Sequence, residues 1–217
     1  MTDTSLYIFD MDGVILDSLD KLSKCLIESV KPFCQSDSHF QQFSQFDVAN
    51  PGLSRFEKVD YFVSQLPTSN HLNAEQVKIE ILQRFQRLSL EARLSSNIEN
   101  EFYDLPGIIP SKNLLLLSNC DNDQLKVVDA HFGFHQIFKG GIIGTPPSKR
   151  ERLSEVLRAF DNLSAISVSD SESDAVIARD LGVSFVFIQR FARDSAPWLN
   201  ENEFRFSTLN DFKSKLI

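Results

Sequence analysis

Two patterns of apolar and polar residues alternate along this chain. Short runs in which nearly every position is apolar indicate strands that are buried on both faces, as in a parallel sheet. Between these runs, apolar residues recur at the three- and four-residue spacing that is typical of amphipathic helices. The alternation predicts an α/β fold with a doubly wound parallel sheet, that is, a Rossmann-like core. The clearest strand-like runs are Ser5–Phe9, Leu114–Leu117, Ala165–Val168 and Ser184–Ile188.

A long stretch without strand-like runs follows the first strand. It covers about eighty residues, far more than an ordinary connection between strands needs. A helix is predicted to end before Pro32, and Ser54 with Glu57 has the pattern of a capping box at the start of another. The polar, phenylalanine-bearing stretch from Gln35 to Asn50 is assigned to no element. We therefore predict a core domain of residues 1–17 and 104–217 and a helical cap domain of residues 18–103.

Polar residues stand where the predicted strands end or where the following helices begin. The carboxyl ends of parallel strands meet at one edge of a sheet, where α/β proteins place their chemistry. An acidic pair after one strand is explained equally well as a loop cap, whereas side chains from several strands that meet at one edge predict a functional site. The residues concerned are Asp10, Asp12, Ser118, Lys149, Asp170 and Asp174.

Charge and composition narrow the possible partners and the compartment. The chain has 217 residues and a formal net charge of −8, so neither a nucleic acid nor an anionic membrane surface is an expected partner. A phosphorylated substrate is compatible, because one metal ion and one lysine reverse the sign of the charge locally. Cys25, Cys34 and Cys120 have no metal-type spacing and are interpreted as free thiols. Since no signal peptide and no apolar run of transmembrane length is present, we expect a cytoplasmic protein.

Four short motifs now stand in order at the predicted strand ends: Phe9–Val14, Leu117–Asn119, Lys149 and Ser169–Asp174. In this order and placement they resemble the motifs of the haloacid dehalogenase-like superfamily of phosphohydrolases. The resemblance covers residues 5–18 and 105–190. The helical insertion lies where the phosphoglycolate phosphatase-like and phosphoglucomutase-like branch of that superfamily carries its cap domain. Each motif alone is weak evidence, but the four together are specific.

The resemblance implies roles for the acidic residues. Asp10 would be the nucleophile that attacks phosphorus, and Asp12 would act as general acid and then as general base. Mg²⁺, which prefers hard oxygen ligands, would be bound by Asp10, the backbone carbonyl of Asp12 and Asp170. Asp174 would be a further ligand or an outer support, and its position at a helix start is explained equally well by capping.

The resemblance also implies which residues contact the substrate. Ser118 and the backbone N–H of Asn119 would hold phosphoryl oxygens, and Lys149 would neutralise their charge and that of Asp10. A helical cap over the strand edge would close on the substrate and add specificity. Arg55 and Lys58 are the basic residues of the cap that are best placed by sequence to reach the site, although a solvated helix face explains them as well.

Two departures from the family pattern are visible. Ser169 stands where family members usually have glycine. Ile108–Asn113 is too short for the helix of about three turns that usually precedes the second strand. The shortened segment could leave one sheet face less covered, in which case an exposed apolar patch would indicate a partner or a dimer. It could also mark a degraded enzyme.

The sequence therefore predicts a Mg²⁺-dependent phosphatase that hydrolyses a small phosphorylated metabolite, either a sugar phosphate or a phosphorylated acid, through an aspartyl-phosphate intermediate. Asp12 favours a phosphatase or phosphomutase, because dehalogenases of the superfamily lack an acid at this position. One alternative is a sugar phosphomutase that uses the same residues. Another is a non-catalytic binding module on a decayed phosphatase fold. A monomer or a homodimer is expected.

Overall fold

The computed structural model describes residues 5–51, 53–66, 73–160, 163–193 and 195–216. The chain divides into two compact units, a core unit of Met1–Leu19 with Ser96–Ile217 and a helical unit of Asp20–Ser95. The chain returns to the core unit before residue 104, because Asn97–Ile98 already pairs with Leu16–Asp17. Among the described residues, no helix is both long and apolar enough to cross a membrane.

The elements follow one another in the order that the sequence pattern predicts, with several short additions. The described strands are β1 (Ser5–Phe9), β2 (Leu16–Asp17), β3 (Asn97–Ile98), β4 (Leu114–Asp121), β5 (Gly141–Thr145), β6 (Ser164–Ser169), β7 (Ser184–Ile188) and β8 (Phe204–Phe206). The described α-helices are α1 (Leu19–Val30), α2 (Asp37–Ala49), α3 (Arg55–Ser64), α4 (Ala74–Leu94), α5 (Asn122–Phe132), α6 (Lys149–Ala159), α7 (Glu172–Asp180) and α8 (Leu209–Lys213).

The core unit contains a six-stranded parallel sheet with the strand order β5-β4-β1-β6-β7-β8. Strand β1 lies between β4 and β6, and its last residue, Phe9, is level with Leu116 on one side and Val168 on the other. The residues that follow these three strands are therefore brought to the same edge of the sheet. The predicted α/β fold is confirmed.

The two faces of this sheet are covered in different ways. Leu6 and Ile8 of β1 pack in one hydrophobic cluster with Leu153 of α6 and Ala178 of α7. On the other side, Phe9 contacts Phe138 and Phe212, with ring centroids 5.9 and 6.3 Å apart.

An aromatic cluster supplies the cover that the shortened segment before β4 lacks. Two 3-10 segments, Asn100–Gly107 and Ser111–Asn113, precede β4, and the first of them buries Phe102 and Leu105 completely. The Phe102 ring lies 6.2 Å from that of Phe138. Because large rings bury much apolar area each, a few of them cover the sheet without a full helix. The apolar patch that the short segment could have exposed is closed at these residues.

The helical unit packs its own core from α1 to α4, with Phe43, Phe62 and Ile81 fully buried or nearly so. The capping box of Ser54 and Glu57 is present at the start of α3. Helix α2 forms in the stretch to which the sequence assigned no element. Its apolar stripe is interrupted by Asp47, a charged residue that is nevertheless 0 % exposed. The period of the stripe was hidden because the inward face of α2 contains this buried acid.

Candidate active site

The first motif forms a tight turn directly after β1. The backbone N–H of Asp10 still donates to the carbonyl of Val168 at 2.9 Å, so Asp10 is held at the end of the sheet. The backbone N–H groups of Ile15 and Leu16 both donate to the carbonyl of Met11. The turn folds back on itself and presents two acids, Asp10 and Asp12, at the carboxyl edge of β1.

Lys149 contacts one acid of the first motif and one acid of the last motif. Its Nζ lies 2.9 Å from Asp10 Oδ1 and 2.6 Å from Asp174 Oδ2. The three side chains are largely buried, with exposed fractions of 8 % for Lys149, 13 % for Asp10 and 4 % for Asp174. Lys149 is the first residue of α6, which begins with the capping box of Ser148 and Glu151. Charge-assisted hydrogen bonds of this length are the strong ones in proteins, so Lys149 is held firmly between two carboxylates.

Asp170 reaches the same edge from the end of β6 and lies against Gly13. A Cβ atom added to Gly13 would be 2.4 Å from Asp170 Oδ2, which is inside van der Waals contact. Gly13 also has a φ of +85°, a conformation that side chains rarely adopt. Glycine at this position therefore allows the turn to bend and lets the buried carboxylate of Asp170 approach it.

Burial dominates the electrostatics of the site. It raises the pKa of Asp10 to about 7, with the Lys149 ammonium opposing the rise and the Asp174 and Asp12 carboxylates adding to it. Burial, together with the charges of Asp10 and Asp174, raises the pKa of Asp170 well above its ordinary value. Burial acts to lower the pKa of Lys149, but Asp10 and Asp174 outweigh it and raise that pKa. Lys149 thus stays charged, and its one positive charge faces three carboxylates.

This charge balance bears on whether the site suits a metal ion. Across the described ranges, no three His, Cys, Asp or Glu side chains form a group arranged to hold a metal. The donor chemistry fits a hard divalent cation, because Asp10 and Asp170 are buried carboxylates and the single positive charge of Lys149 does not balance the three carboxylates around it. Asp174 is engaged elsewhere, since its Oδ2 accepts hydrogen bonds from Lys149 Nζ and from Ser169 Oγ. These contacts favour the outer, supporting role for Asp174.

The predicted phosphate-binding residues of the second motif lie in the last part of β4. Ser118 is 1 % exposed, and its Oγ accepts a hydrogen bond from the backbone N–H of Cys120 at 3.0 Å. The carbonyl of Asn119 accepts a hydrogen bond from Thr145 Oγ1 of β5 at 3.1 Å. Thr145 thus ties the end of β4 to β5, and the pairing of Leu116 with Phe9 places this end beside β1, on the edge that carries Asp10.

Two hydroxyl groups that the sequence did not identify as site residues contact the predicted acids. Ser18 Oγ donates to Asp12 Oδ1 at 2.6 Å, and Ser18 is fully buried. Ser169 Oγ donates to Asp174 Oδ2 at 2.5 Å. Ser18 had no sequence signal, because the turn alone brings it back to Asp12. Ser169 had one, since it replaces the usual glycine of the family pattern.

The two basic residues predicted to reach the substrate lie in the helical unit. Lys58 Nζ is 2.7 Å from Asp47 Oδ1, and the exposed fractions of the two side chains are 6 % and 1 %. Ser23 Oγ donates to the other oxygen of Asp47. The ammonium of Lys58 is thus used inside the helical unit. Arg55 is partly buried, with its guanidinium 4.5 Å from the centre of the Phe56 ring.

Comparisons with known proteins support the fold. No family model and no curated protein matches this sequence. A haloacid dehalogenase-like family hydrolase from Streptococcus pneumoniae is 16 % identical over 100 % of both chains, with a TM-score of 0.74. A predicted phosphoglycolate phosphatase from Haemophilus somnus is 17 % identical over 100 % of both chains, with a TM-score of 0.71. CbbY from Rhodobacter sphaeroides, solved in complex with phosphate, is 14 % identical over 97 % of this chain and 95 % of its own, with a TM-score of 0.66.

These likenesses span nearly the whole chain at low sequence identity, so they bear on the fold rather than on the reaction. At the level of the fold, they confirm the resemblance drawn from the four motifs. The chain has the fold of the haloacid dehalogenase-like hydrolases.

Proposed function

We propose that this protein is a Mg²⁺-dependent phosphatase that hydrolyses a small phosphorylated metabolite through a phosphoryl group carried on Asp10. One observation carries the proposal: the Lys149 ammonium is held between the carboxylates of Asp10 and Asp174 at the strand edge where Asp170 also lies. A buried lysine between acids from separate motifs has no role in capping a loop. It suits a site that must accept the negative charge of a phosphoryl group.

In the first step, an oxygen of Asp10 attacks phosphorus in line with the bond to the leaving oxygen. The new bond joins Asp10 to phosphorus, the ester bond breaks, and Asp12 gives its proton to the leaving oxygen. In the second step, Asp12 takes a proton from water as the water oxygen attacks phosphorus. The bond between phosphorus and Asp10 then breaks, and inorganic phosphate is released with both aspartates restored.

Asp10 must be ionised to attack, and its raised pKa shows that burial opposes this state. The oxygens of Asp10 and Asp170 and the backbone carbonyl of Asp12 would hold Mg²⁺. When bound, the ion would neutralise part of the charge of the carboxylates and of the phosphoryl oxygens. Lys149 also favours the ionised state of Asp10, through the contact with Oδ1 that opposes the rise in its pKa.

The same site supports the proposed substrate class. Ser118 and the backbone N–H of Asn119, on the strand beside Asp10, would hold phosphoryl oxygens. The phosphate held by CbbY and the likeness to a predicted phosphoglycolate phosphatase from Haemophilus somnus support a small phosphorylated metabolite, either a sugar phosphate or a phosphorylated acid. Arg55, together with the helical unit that carries it, would contribute to substrate selection.

We place the protein in the cytoplasm, acting as a monomer or a homodimer without a nucleic-acid or membrane partner. The net charge of −8 supports this proposal. Cys25, Cys34 and Cys120 are thiols and not disulfides, which also suits a reducing compartment.

The test is the release of inorganic phosphate from a panel of sugar phosphates and phosphorylated acids, with Mg²⁺ and with a chelator. Wild type should be active with Mg²⁺ only, and Asp10→Asn should be inactive. Asp123→Asn is the matched control, because this acid on α5 is exposed and its carboxylate pairs with the equally exposed Lys126. Activity of Asp10→Asn, or turnover in chelator, would contradict the mechanism. Interconversion of sugar phosphates without phosphate release would indicate the phosphomutase instead.

A further inference from the structure

Ser169 occupies an unusual place in the site. It is the last residue of β6, it directly precedes Asp170, and it is 1 % exposed. Its hydroxyl donates to Asp174 Oδ2 at 2.5 Å, across the start of α7. The glycine that the family pattern usually has here could make no such contact.

The hydrogen bond is the first link of a continuous buried network. Asp174 Oδ2 accepts from Ser169 and also from Lys149 Nζ, which lies 2.6 Å away. The same Nζ contacts Asp10 Oδ1 at 2.9 Å. Three contacts therefore connect the Ser169 hydroxyl to the carboxylate that would attack phosphorus.

The shared oxygen explains what the serine does. Two donors on Oδ2 fix the orientation of the Asp174 carboxylate and divide its charge between them. Without the hydroxyl, the orientation of this buried oxygen would depend on Lys149 alone, and its full charge would draw the ammonium toward Asp174. The contact between Lys149 and Asp10 is the longer of the two ion pairs and would be the one that lengthens.

We propose that Ser169 is a positioning residue that holds Asp174 and thereby sets Lys149 against Asp10. The effect on turnover rests on the proposed phosphatase function, whereas the effect on the position of Lys149 does not. The side-chain hydrogen bond of Ser169 is to Asp174, so in this proposal it acts on the site through Asp174 and Lys149.

Three variants test this proposal. Ser169→Ala removes the hydroxyl, and Ser169→Thr keeps it with a β-branched side chain that suits a strand. Ser167→Ala is the matched control, because Ser167 lies two residues earlier on the same side of β6 and is similarly buried. Kinetics with the best substrate of the panel and crystal structures of the four proteins are compared.

We expect Ser169→Ala to lower kcat about tenfold, as for loss of one hydrogen bond to a charged group, with a smaller change in KM. Ser169→Thr should recover most of the activity, and Ser167→Ala should match wild type. In the crystal structure of Ser169→Ala, the distance from Lys149 Nζ to Asp10 Oδ1 should be longer than in wild type, with no such change in the other variants.

The two proposals fail separately. If wild type releases no phosphate from any substrate, the phosphatase function is wrong, and the crystallographic distance alone then decides the role of Ser169. If Lys149 keeps its place in Ser169→Ala, the positioning role is wrong whatever the kinetics show. Equal loss of kcat in Ser169→Ala and Ser167→Ala would also overturn it, because that result would reflect the packing of β6.

Discussion

Alanine substitutions at Gly13 and Gly182 distinguish the effect of backbone strain on stability from the effect of a displaced site residue on activity. The new methyl group would meet Asp170 Oδ2 at 2.4 Å, and the residue would keep a φ of +85°. Gly182, at the end of α7, offers a matched control. It has a φ of +69°, but nothing lies within 4 Å of the position that its Cβ would take. Both substitutions therefore impose a left-handed backbone on alanine, and only Gly13→Ala creates a collision.

The expected losses of stability and of activity follow from this difference. An L-residue in the left-handed region costs about 1–2 kcal/mol, so both variants should lose about that much free energy of unfolding. In Gly13→Ala, the Asp170 carboxylate must also turn away or the turn after β1 must shift. Either movement displaces an acid of the site by a large fraction of an ångström. Because misplacement of about 1 Å can cost on the order of 100-fold in rate, we expect a loss of activity of that order.

The assay combines urea unfolding with phosphate release at saturating Mg²⁺. Gly182→Ala should lose stability and keep its activity, whereas Gly13→Ala should lose both. Measuring activity well below the unfolding midpoint ensures that both variants are folded during the assay. Equal activity of the two variants would refute the reasoning, because it would mean that the contact between Gly13 and Asp170 does not constrain the site.

Three further outcomes are expected. Ser18→Ala removes the donor to Asp12 Oδ1 and should lower the turnover of substrates with poor leaving groups about tenfold. Turnover of nitrophenyl phosphate should change little, because its leaving group needs no proton. An equal loss on both kinds of substrate would contradict this role of Ser18. Lys58→Met should cost about 3–5 kcal/mol in unfolding experiments, because it removes the ammonium that faces the buried carboxylate of Asp47. The double variant with Asp47→Leu should recover most of that loss. Without metal, the protein should lose stability as the pH rises from about 4 to about 7. In this window the folded state, with the raised pKa of Asp10, binds more protons than the unfolded state. Asp10→Asn should flatten that part of the pH–stability curve, and an unchanged curve would contradict the raised pKa.

Much of the core unit could be predicted, because burial on both faces of a sheet requires a local sequence pattern that can be recognised. A central parallel strand such as β1 or β4 must be apolar at nearly every position, so it is visible as a short continuous run. The helix start at Ser54 was visible for a similar reason, since a capping box lies within four residues.

Helix α2 shows where such patterns fail. Its inward face contains Asp47, whose charge is balanced by Lys58 from α3 and whose other oxygen accepts a hydrogen bond from a hydroxyl of α1. A buried acid looks like a surface residue in the sequence, because the partner that makes its burial possible lies on another helix. The cover of the sheet face at Phe102 was equally invisible, since it depends on rings from segments far apart in the chain.

At the candidate site, too, the sequence predicted some features and left others to the tertiary structure. The sequence by itself determined which residues reach the carboxyl edge of the sheet, because strand order and direction follow from local periodicity and the motifs lie at strand ends. Only the tertiary structure decided which atoms meet there: Lys149 with Asp10 and Asp174, Asp170 against Gly13, and the hydroxyls of Ser18 and Ser169 on two of the acids. The physical reason is that sequence patterns report on local structure, whereas the contacts in the site join residues that are far apart in the chain. Periodicity records how each segment meets the core, whereas a hydrogen bond between distant residues depends on register, turn geometry and side-chain rotamers within a fraction of an ångström.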